Sequence, residues 1–136
     1  MSIDSPNVVN LDAWAFDPRR VEKPWGWELI WAESKHYVGK LLFVKAGESL
    51  SLQFHREKEE SWYIESGRAK VELGDTGDAM LKEEVIGAPA FFHFVPGTVH
   101  RITAIEDTLI YEVSTPHLDD VVRLEDRYGR EGTSAP

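Results

Sequence analysis

Short stretches of alternating apolar and polar residues, separated by turn residues, recur along most of the chain. The segment with Trp25, Trp27 and Trp31 shows this alternation, which is typical of a strand with one buried face. Comparable runs rich in Val, Ile, Leu and aromatic residues predict further strands at 37–45, 49–55, 60–66, 68–73, 80–85, 91–95, 98–105 and 108–114. Many short strands at this spacing favour an all-β antiparallel barrel or jelly roll.

The pattern changes near the C-terminus, where residues 118–130 predict the one helix of the chain. Asp119 or Asp120 would cap this helix and Gly129 would end it. The expected fold is therefore an all-β jelly-roll barrel with a short C-terminal helix. We expect an N-terminal arm at 1–20, a single barrel domain at 21–130 and a flexible tail at 131–136.

Composition and charge narrow the possible functions. The chain has 136 residues, a net charge of −9 and no cysteine. An acidic surface argues against general nucleic-acid binding, and a small phosphorylated substrate would need a local basic cluster. No apolar run approaches the ~20 residues of a membrane helix, and the first residues lack the features of an export signal. We therefore expect a cytoplasmic protein with no membrane or nucleic-acid partner.

Four side chains stand out as candidate metal ligands. Alternation places Gln53 and His55 on one face of a strand, and a hairpin would bring Glu60 beside His55. His100 opens a later strand after a Pro-Gly turn. Without thiolates, a metal must be held by imidazole, carboxylate and amide groups, which this set supplies. The set suits one divalent ion: zinc is the first expectation, and manganese, iron, cobalt or nickel are alternatives.

The spacing of these residues resembles the two cupin motifs. The first family motif runs from a glycine through His-x-His and a glutamate to a second glycine. This sequence has Gly47, Gln53, His55, Glu60 and Gly67 at those positions, with glutamine in place of the first histidine. Gly97 and His100 match the second motif, in which Pro96 lies one residue closer than usual. The resemblance implies a cupin jelly-roll barrel.

Three longer stretches make the resemblance more specific. VEKPWGWELI, VGKLLFVKAGESLSLQFH and VVRLEDRYGR look like the cupin domain of type II mannose-6-phosphate isomerases, where it usually follows a guanylyltransferase domain. The chain would be a stand-alone version of that domain. The resemblance implies metal-dependent isomerisation between mannose 6-phosphate and fructose 6-phosphate, with Gln53, His55, Glu60 and His100 as the metal ligands.

The loop between His55 and Glu60 departs from the family pattern. The family has several histidines followed by an arginine, whereas this loop reads REKE, and Lys58 takes the position of the arginine. The resemblance implies a catalytic charge at Lys58. The predicted substrate contacts are Lys40, Arg56 and Arg127.

Two alternatives remain open at this stage. One is a non-catalytic cupin that binds a sugar phosphate or nucleotide sugar and retains the metal; the other is an iron-dependent oxygenase. A homodimer is also expected, because Leu50, Leu52 and Phe54 would share an apolar face that needs cover.

Overall fold

A computed structural model describes residues 11–77 and 80–132, and most of these residues lie in antiparallel strands. A 3₁₀ turn at Leu11–Ala13 comes first. The strands are β1 (Arg19–Lys23), β2 (Gly26–Glu33), β3 (Val38–Val44), β4 (Leu52–Phe54), β5 (Glu60–Ser66), β6 (Arg68–Asp75), β7 (Lys82–Gly87), β8 (Ala90–Phe94), β9 (Thr98–Ala104), β10 (Thr108–Ser114) and β11 (Val122–Glu125). The predicted all-β fold is confirmed.

The strands form two sheets with a jelly-roll arrangement. One sheet has the order β1-β2-β3-β10-β5-β8, and the other has the order β11-β4-β9-β6-β7. Strands that are distant in sequence are therefore neighbours in space, which is typical of Greek-key barrels. The apolar core contains Trp25, Leu42, Val44, Leu50, Trp62, Ile64, Ala69, Val71, Phe94, Ile102, Ala104 and Ile110.

The first strand begins inside the segment predicted to be an arm. β1 starts at Arg19 and pairs with β2 in a tight hairpin in which Lys23 lies opposite Gly26. Its sequence, RRVEK, has one apolar residue, so alternation did not reveal it. Such a polar composition suits an edge strand, because charged side chains discourage pairing with other chains. Residues 1–10 of the predicted arm and 133–136 of the predicted tail lie outside the described residues.

The predicted helix over 118–130 is wrong, because its centre forms strand β11. Val122 pairs with Phe54 and Arg123 pairs with Gln53 along the edge of β4. The β-branched Val121 and Val122 favour an extended backbone, and β4 offers an unpaired edge that gains hydrogen bonds. The segment therefore covers the barrel as a strand, and this brings Arg123 beside a predicted metal ligand.

The predicted apolar face of Leu50, Leu52 and Phe54 is divided between two surfaces. Leu50 belongs to the core, whereas Leu52 and Phe54 line an outer groove together with Leu124. Strand β4 begins only at Leu52, so the alternation expected from residue 49 onward does not hold. Among the described residues, no helix is long and apolar enough to cross a bilayer.

Candidate metal centre and cavity

Three of the predicted ligands meet inside the barrel. His55 follows β4, Glu60 opens β5 and His100 lies in β9, so both sheets contribute. The side chains are buried, with 5%, 2% and 1% of His55, Glu60 and His100 exposed. One ligand atom from each lies within 4.8 Å of the others, so this trio can hold a metal ion.

Backbone carbonyls fix how the two imidazole rings are protonated. Nδ1 of His55 contacts the carbonyl oxygen of Asp120, and Nδ1 of His100 lies 2.9 Å from that of Thr98. A carbonyl oxygen only accepts hydrogen bonds, so each Nδ1 carries a proton, and in the neutral ring each Nε2 keeps a lone pair. Metal-binding histidines commonly donate a hydrogen bond from the ring nitrogen that does not bind the metal to a backbone carbonyl oxygen.

The lone pairs of both rings face the same carboxylate oxygen. Nε2 of His55 lies 3.5 Å and Nε2 of His100 lies 3.1 Å from Oε1 of Glu60. Within the part of the chain that the structure describes, none of these three buried atoms has a hydrogen-bond partner of acceptable geometry. Buried polar atoms are nearly always satisfied, and three acceptors that face one another are best satisfied by a cation. The residues present therefore fit a divalent metal ion.

Gln53 lies beside this trio on the inner face of β4. It pairs directly with His100 of β9, and it lines the same cavity as His55. Its Oε1 accepts a hydrogen bond from the Ser51 hydroxyl at 2.7 Å. That bond leaves a second lone pair on the amide oxygen. The structure thus brings the four predicted ligands into one region.

Lys58 is the cation next to the trio. Its Nζ lies 3.0 Å from Oε2 of Glu60 and 3.3 Å from Oε2 of Glu112. Burial alone would lower the pKa of Lys58, but the two carboxylates outweigh it and raise this pKa above its usual value. Burial would raise the pKa of Glu60, yet the charge of Lys58 holds it well below its usual range. Both groups are therefore charged at neutral pH.

Glu112 is a second buried carboxyl group in the cavity. It lines the cavity, and Trp62 donates a hydrogen bond from Nε1 to its Oε1 at 3.1 Å. Burial and the charge of Glu60 raise the pKa of Glu112, against the opposing effect of Lys58.

Asp120 organises the loop between two of the ligands. The backbone N–H groups of Arg56, Glu57 and Lys58 donate to its carboxylate at 3.1, 2.7 and 2.9 Å. Burial would raise the pKa of Asp120, but these three hydrogen bonds lower it. Sequence analysis considered Asp120 only as a helix cap. Its role was missed because its partners lie 62 to 64 residues away.

Gln53 and His55 line a cavity of about 80 Å³ that is rich in basic side chains. Lys40, a predicted substrate contact, lines this cavity, and its Nζ lies 3.3 Å from Oε2 of Glu28. The other basic residues of its wall are Lys23, Lys58, Arg123 and Arg130. Sequence analysis did not identify Arg123 and Arg130 as cavity residues, because the helix predicted over 118–130 gave no reason to place either in the cavity wall.

Two predicted substrate contacts lie elsewhere. Arg127 is exposed and donates from Nη1 to the carbonyl oxygen of Gly47. Arg56 is exposed, and its guanidinium lies 5.8 Å from the centre of the Phe54 ring. Neither residue is part of the cavity wall.

The two-sheet barrel with this histidine and carboxylate cluster inside it defines the chain as a cupin. Its fold matches that of the capsular polysaccharide assembling protein CapF from Staphylococcus aureus, with a TM-score of 0.70 and 15% identity over 83% of this chain and 36% of that one. It also matches oxalate decarboxylase from Bacillus subtilis, with a TM-score of 0.67 and 19% identity over 79% of this chain and 30% of that one.

Within the cupins, the chain belongs to the family described as Mannose-6-phosphate isomerase C-terminal, which matches residues 14–126. The resemblance found from the sequence is thereby confirmed. Mannose-1-phosphate guanylyltransferase of Escherichia coli K12 is 37% identical over 118 residues, which are 82% of this chain and 23% of the relative. The alginate biosynthesis protein AlgA of Pseudomonas aeruginosa is 32% identical over 121 residues, which are 85% and 24%. The chain thus spans about a quarter of these relatives.

Proposed function

We propose that this protein is a metal-binding cupin that acts on a phosphorylated sugar, by an aldose–ketose isomerisation like that of mannose-6-phosphate isomerases. The observation that carries this proposal is the His55, Glu60 and His100 trio, whose buried acceptor atoms face one another beside a basic cavity. The family and its relatives, which are named for mannose phosphates and polysaccharide biosynthesis, support a sugar phosphate as the substrate class.

The proposed metal ligands are Gln53, His55, Glu60 and His100, with zinc as the first candidate and manganese, iron, cobalt or nickel as alternatives. When bound, a divalent ion supplies positive charge that stabilises the negative charge developing on a substrate oxygen. The carbonyl of Asp120 keeps the His55 ring oriented, so its lone pair stays directed at this point.

The remaining roles belong to charged groups of the cavity. We assign Lys58 to electrostatic stabilisation, because a lysine with a raised pKa stays protonated and cannot act as a base. Glu112 is the carboxyl group that we propose to carry the proton between the two reacting carbons, since it lies in the cavity with a raised pKa. Lys40 is a proposed substrate contact. The substrate contacts predicted at Arg56 and Arg127 stay predictions, and both residues lie outside the cavity wall.

A non-catalytic cupin that binds a sugar phosphate or nucleotide sugar is the second candidate. The observation that favours it is the position of Lys58, whose ammonium group pairs with both Glu60 and Glu112. The positive charge of Lys58 opposes protonation of both carboxylates, which disfavours their use as proton acceptors. In this case ligand binding would persist without turnover.

Metal analysis tests the proposed site. Protein purified without chelators is expected to contain one divalent ion per chain, measured by elemental analysis. His100→Ala removes an imidazole ligand and should lose the ion, whereas His36→Ala changes an exposed histidine and should retain it. Undiminished metal in His100→Ala would contradict the ligand assignment.

Proton exchange separates the two candidate functions. Metal-loaded protein with mannose 6-phosphate in deuterated water should exchange the C2 proton, followed by NMR, and Glu112→Gln should lower the rate while keeping the metal. Thermal stabilisation by mannose 6-phosphate without exchange would select the binding protein. Neither stabilisation nor exchange would exclude both.

Two further expectations remain proposals. A homodimer is tested by sedimentation of the metal-loaded protein at several concentrations, and a mass of 15.5 kDa throughout would contradict it. A cytoplasmic location agrees with a chain that has no cysteine, and localisation of a tagged full-length protein tests it.

A further inference from the structure

We propose that the outer face of the first sheet is the contact surface between two copies of this chain. The assignment rests on the proposed homodimer and goes further by placing its interface. The sequence had pointed to Leu50, Leu52 and Phe54, but Leu50 and Leu52 are buried within a single chain and Phe54 is half-buried. A larger uncovered apolar surface lies on the outer face of strands β2, β3, β10, β5 and β8.

Strand register aligns one apolar row across these five strands. Leu29 of β2 pairs with Leu41 of β3, and Leu41 pairs with Tyr111 of β10. Tyr111 also pairs with Tyr63 of β5, which pairs with Phe91 of β8. Directly opposed residues of antiparallel strands share a face. Both chain neighbours of Tyr111 are buried, so the row points away from the core.

The aromatic members of this row stack on one another and remain uncovered. The ring centres of Tyr63 and Phe91 are 4.9 Å apart, and those of Tyr63 and Tyr111 are 5.7 Å apart. Phe91, Tyr63 and Tyr111 are 69%, 41% and 40% exposed, and Val113 beside them is 53% exposed. Stacked rings have little side-chain freedom left to lose when a partner covers them, which favours association.

The exposed apolar area of this face is large for a single chain. Trp31, which is 46% exposed, extends the surface, because its ring lies against Gly39 and Gly39 pairs with Val113. The half-buried side chains around these residues are Trp27, Leu29, Leu41, Phe43 and Leu109. Together they present roughly 600–700 Å² of apolar surface, since a fully covered aromatic side chain buries about 150–250 Å². The largest patch of a typical monomer is ~300–600 Å², and a standard interface buries ~800 Å² per partner.

The distribution of charge favours a second copy of this chain as the occupant. In the part of the chain that the structure describes, uncharged residues take the outward positions of β3 and β10, which are Gly39, Leu41, Phe43, Leu109, Tyr111 and Val113. Depletion of charge marks the centre of protein interfaces. A chain with a net charge of −9 repels its own copy, so two copies approach most easily through a face without carboxylates.

The order of the strands places the centre of this face on β10. This strand is the middle one of the five, and Tyr111 is the middle one of its three outward residues. In a two-fold symmetric contact the same patch serves on both copies, and residues at its centre meet their own counterparts. We therefore expect Tyr111 of one copy to lie against Tyr111 of the other. Tyrosine at the centre of an interface is a common energetic anchor.

Sedimentation of charged variants tests this interface. The unaltered protein should sediment as a dimer, at twice the chain mass of 15.5 kDa. Tyr111→Glu and Phe91→Glu should each raise the dissociation constant of the dimer at least about 100-fold, because a carboxylate would be buried in the contact. Leu124→Glu is the matched control: it changes an apolar residue of β11 that is 48% exposed on the other sheet, and it should leave the dimer intact. Circular dichroism checks that each variant is folded, and two separate variants guard against one that is not.

A mixture of variants with opposite charge tests the symmetry of the contact. Tyr111→Lys alone should be monomeric like Tyr111→Glu. An equimolar mixture of the two should associate again, because a lysine of one copy then meets a glutamate of the other. Damage to the fold could not produce such a rescue. A mixture that stays monomeric would overturn the position of Tyr111 at the centre of the contact.

Two other outcomes would overturn the interface in different ways. A dimer that persists in Tyr111→Glu and Phe91→Glu but dissociates in Leu124→Glu would move the contact to the second sheet, while the homodimer would stand. An unaltered protein that stays at 15.5 kDa at every concentration would exclude both, and would leave the face to a partner other than a second copy. Failure of the proposed sugar-phosphate function is distinguishable, because it shows in metal content and proton exchange and not in the mass.

Discussion

At the level of single residues, the metal centre depends on side chains that hold the ligands as much as on the ligands themselves. His55 and Glu60 are separated by a four-residue loop, and hydrogen bonds from three backbone N–H groups of this loop to the Asp120 carboxylate hold it in place. Three N–H donors on one carboxylate form a compact anion nest that sets the backbone path. The same residue orients His55 through its carbonyl oxygen. Asp120 is therefore a positioning residue for two ligands.

Removal of that carboxylate is predicted to weaken metal binding without removing a ligand. In Asp120→Ala the three N–H groups lose their acceptor. The loop then has more freedom to move, and the relative positions of the His55 and Glu60 side chains are less well defined. We expect a loss of metal affinity of about 10- to 100-fold, the usual effect of removing a group that supports a ligand. Competition with a chromophoric chelator measures it. Asp119→Ala, at the exposed neighbouring position, is the control, and equal dissociation constants for the two variants would refute this role.

The sequence reveals the predicted metal ligands better than it reveals the residues that contact and position them. Gln53, His55 and Glu60 lie close together in the chain, and strand alternation predicts the shared face of Gln53 and His55. The hairpin predicted to bring Glu60 beside His55 is not formed, because β4 and β5 lie in different sheets, and the two side chains meet inside the barrel instead. The contacts of Asp120 and Glu112 with the site join residues that are 50 or more positions apart in sequence. No local pattern encodes such contacts. They follow only from the order in which the strands lie in the sheets.

At the level of elements, the turns between strands decide where each strand begins. Gly67 joins β5 to β6 and has a φ of 102°, in the region that L side chains rarely adopt. A Cβ atom built there would lie 2.4 Å from the carbonyl oxygen of Asp107 and 2.7 Å from Cα of Thr108. Both of these atoms belong to backbone at the start of β10, which cannot move without disturbing the barrel. This turn therefore requires glycine for two independent reasons.

A pair of glycine variants separates the two reasons. Gly77 has a φ of 93°, but a Cβ atom there would meet no atom of the described residues within 4 Å. Gly77→Ala should cost only the backbone strain, ~1 kcal/mol. Gly67→Ala adds a clash with backbone and should lower the free energy of unfolding by at least about 3 kcal/mol, measured by urea denaturation. Equal losses in the two variants would mean that the contact with residues 107 and 108 does not matter.

Strand β11 shows where element prediction fails. The sequence LDDVVRLEDRYGR combines a capping residue, apolar spacing and a terminal glycine, all of which favour a helix. What outweighs these signals is the free edge of β4, whose backbone groups pair with Val122 and Arg123. A partner 68 or more residues away in the chain is invisible to a local pattern. Recognition of this strand would have placed Arg123 on the inner face.

At the level of the whole molecule, positive charge is concentrated in the cavity of a chain whose net charge is negative. The chain is acidic, yet its central cavity is lined by five basic residues. Composition alone excluded a broad basic surface and required any phosphate site to be a local cluster. The location of that cluster depends on the sheet order, because β1, β3 and β11 each contribute a member. The fold class followed from alternation and turns, whereas the basic cavity required the three-dimensional arrangement.

The carboxylates that hold basic groups in place also determine how stability depends on pH. Burial would raise the pKa of Asp126, but the hydrogen bonds and charge of Arg130 lower it below its usual value. Hydrogen bonds from Arg101 lower the pKa of Glu72 in the same way. A carboxylate with a depressed pKa binds fewer protons in the folded state than in the unfolded state. Its contribution to stability is therefore complete above the unfolded pKa, ~4, and is lost as the pH falls further.

The free energy of unfolding should accordingly change little between pH 7 and pH 5 and fall steeply below about pH 4.5, as measured by urea denaturation at each pH. Asp126→Asn should be less stable at pH 7 by about 1–3 kcal/mol, because it loses charged hydrogen bonds to Arg130, and should show a smaller acid loss. Glu106→Gln neutralises an exposed carboxylate in a turn and should keep both the stability at pH 7 and the acid loss of the unaltered protein. If Asp126→Asn retains the full acid loss, the pairing of Asp126 with Arg130 does not control how stability depends on pH.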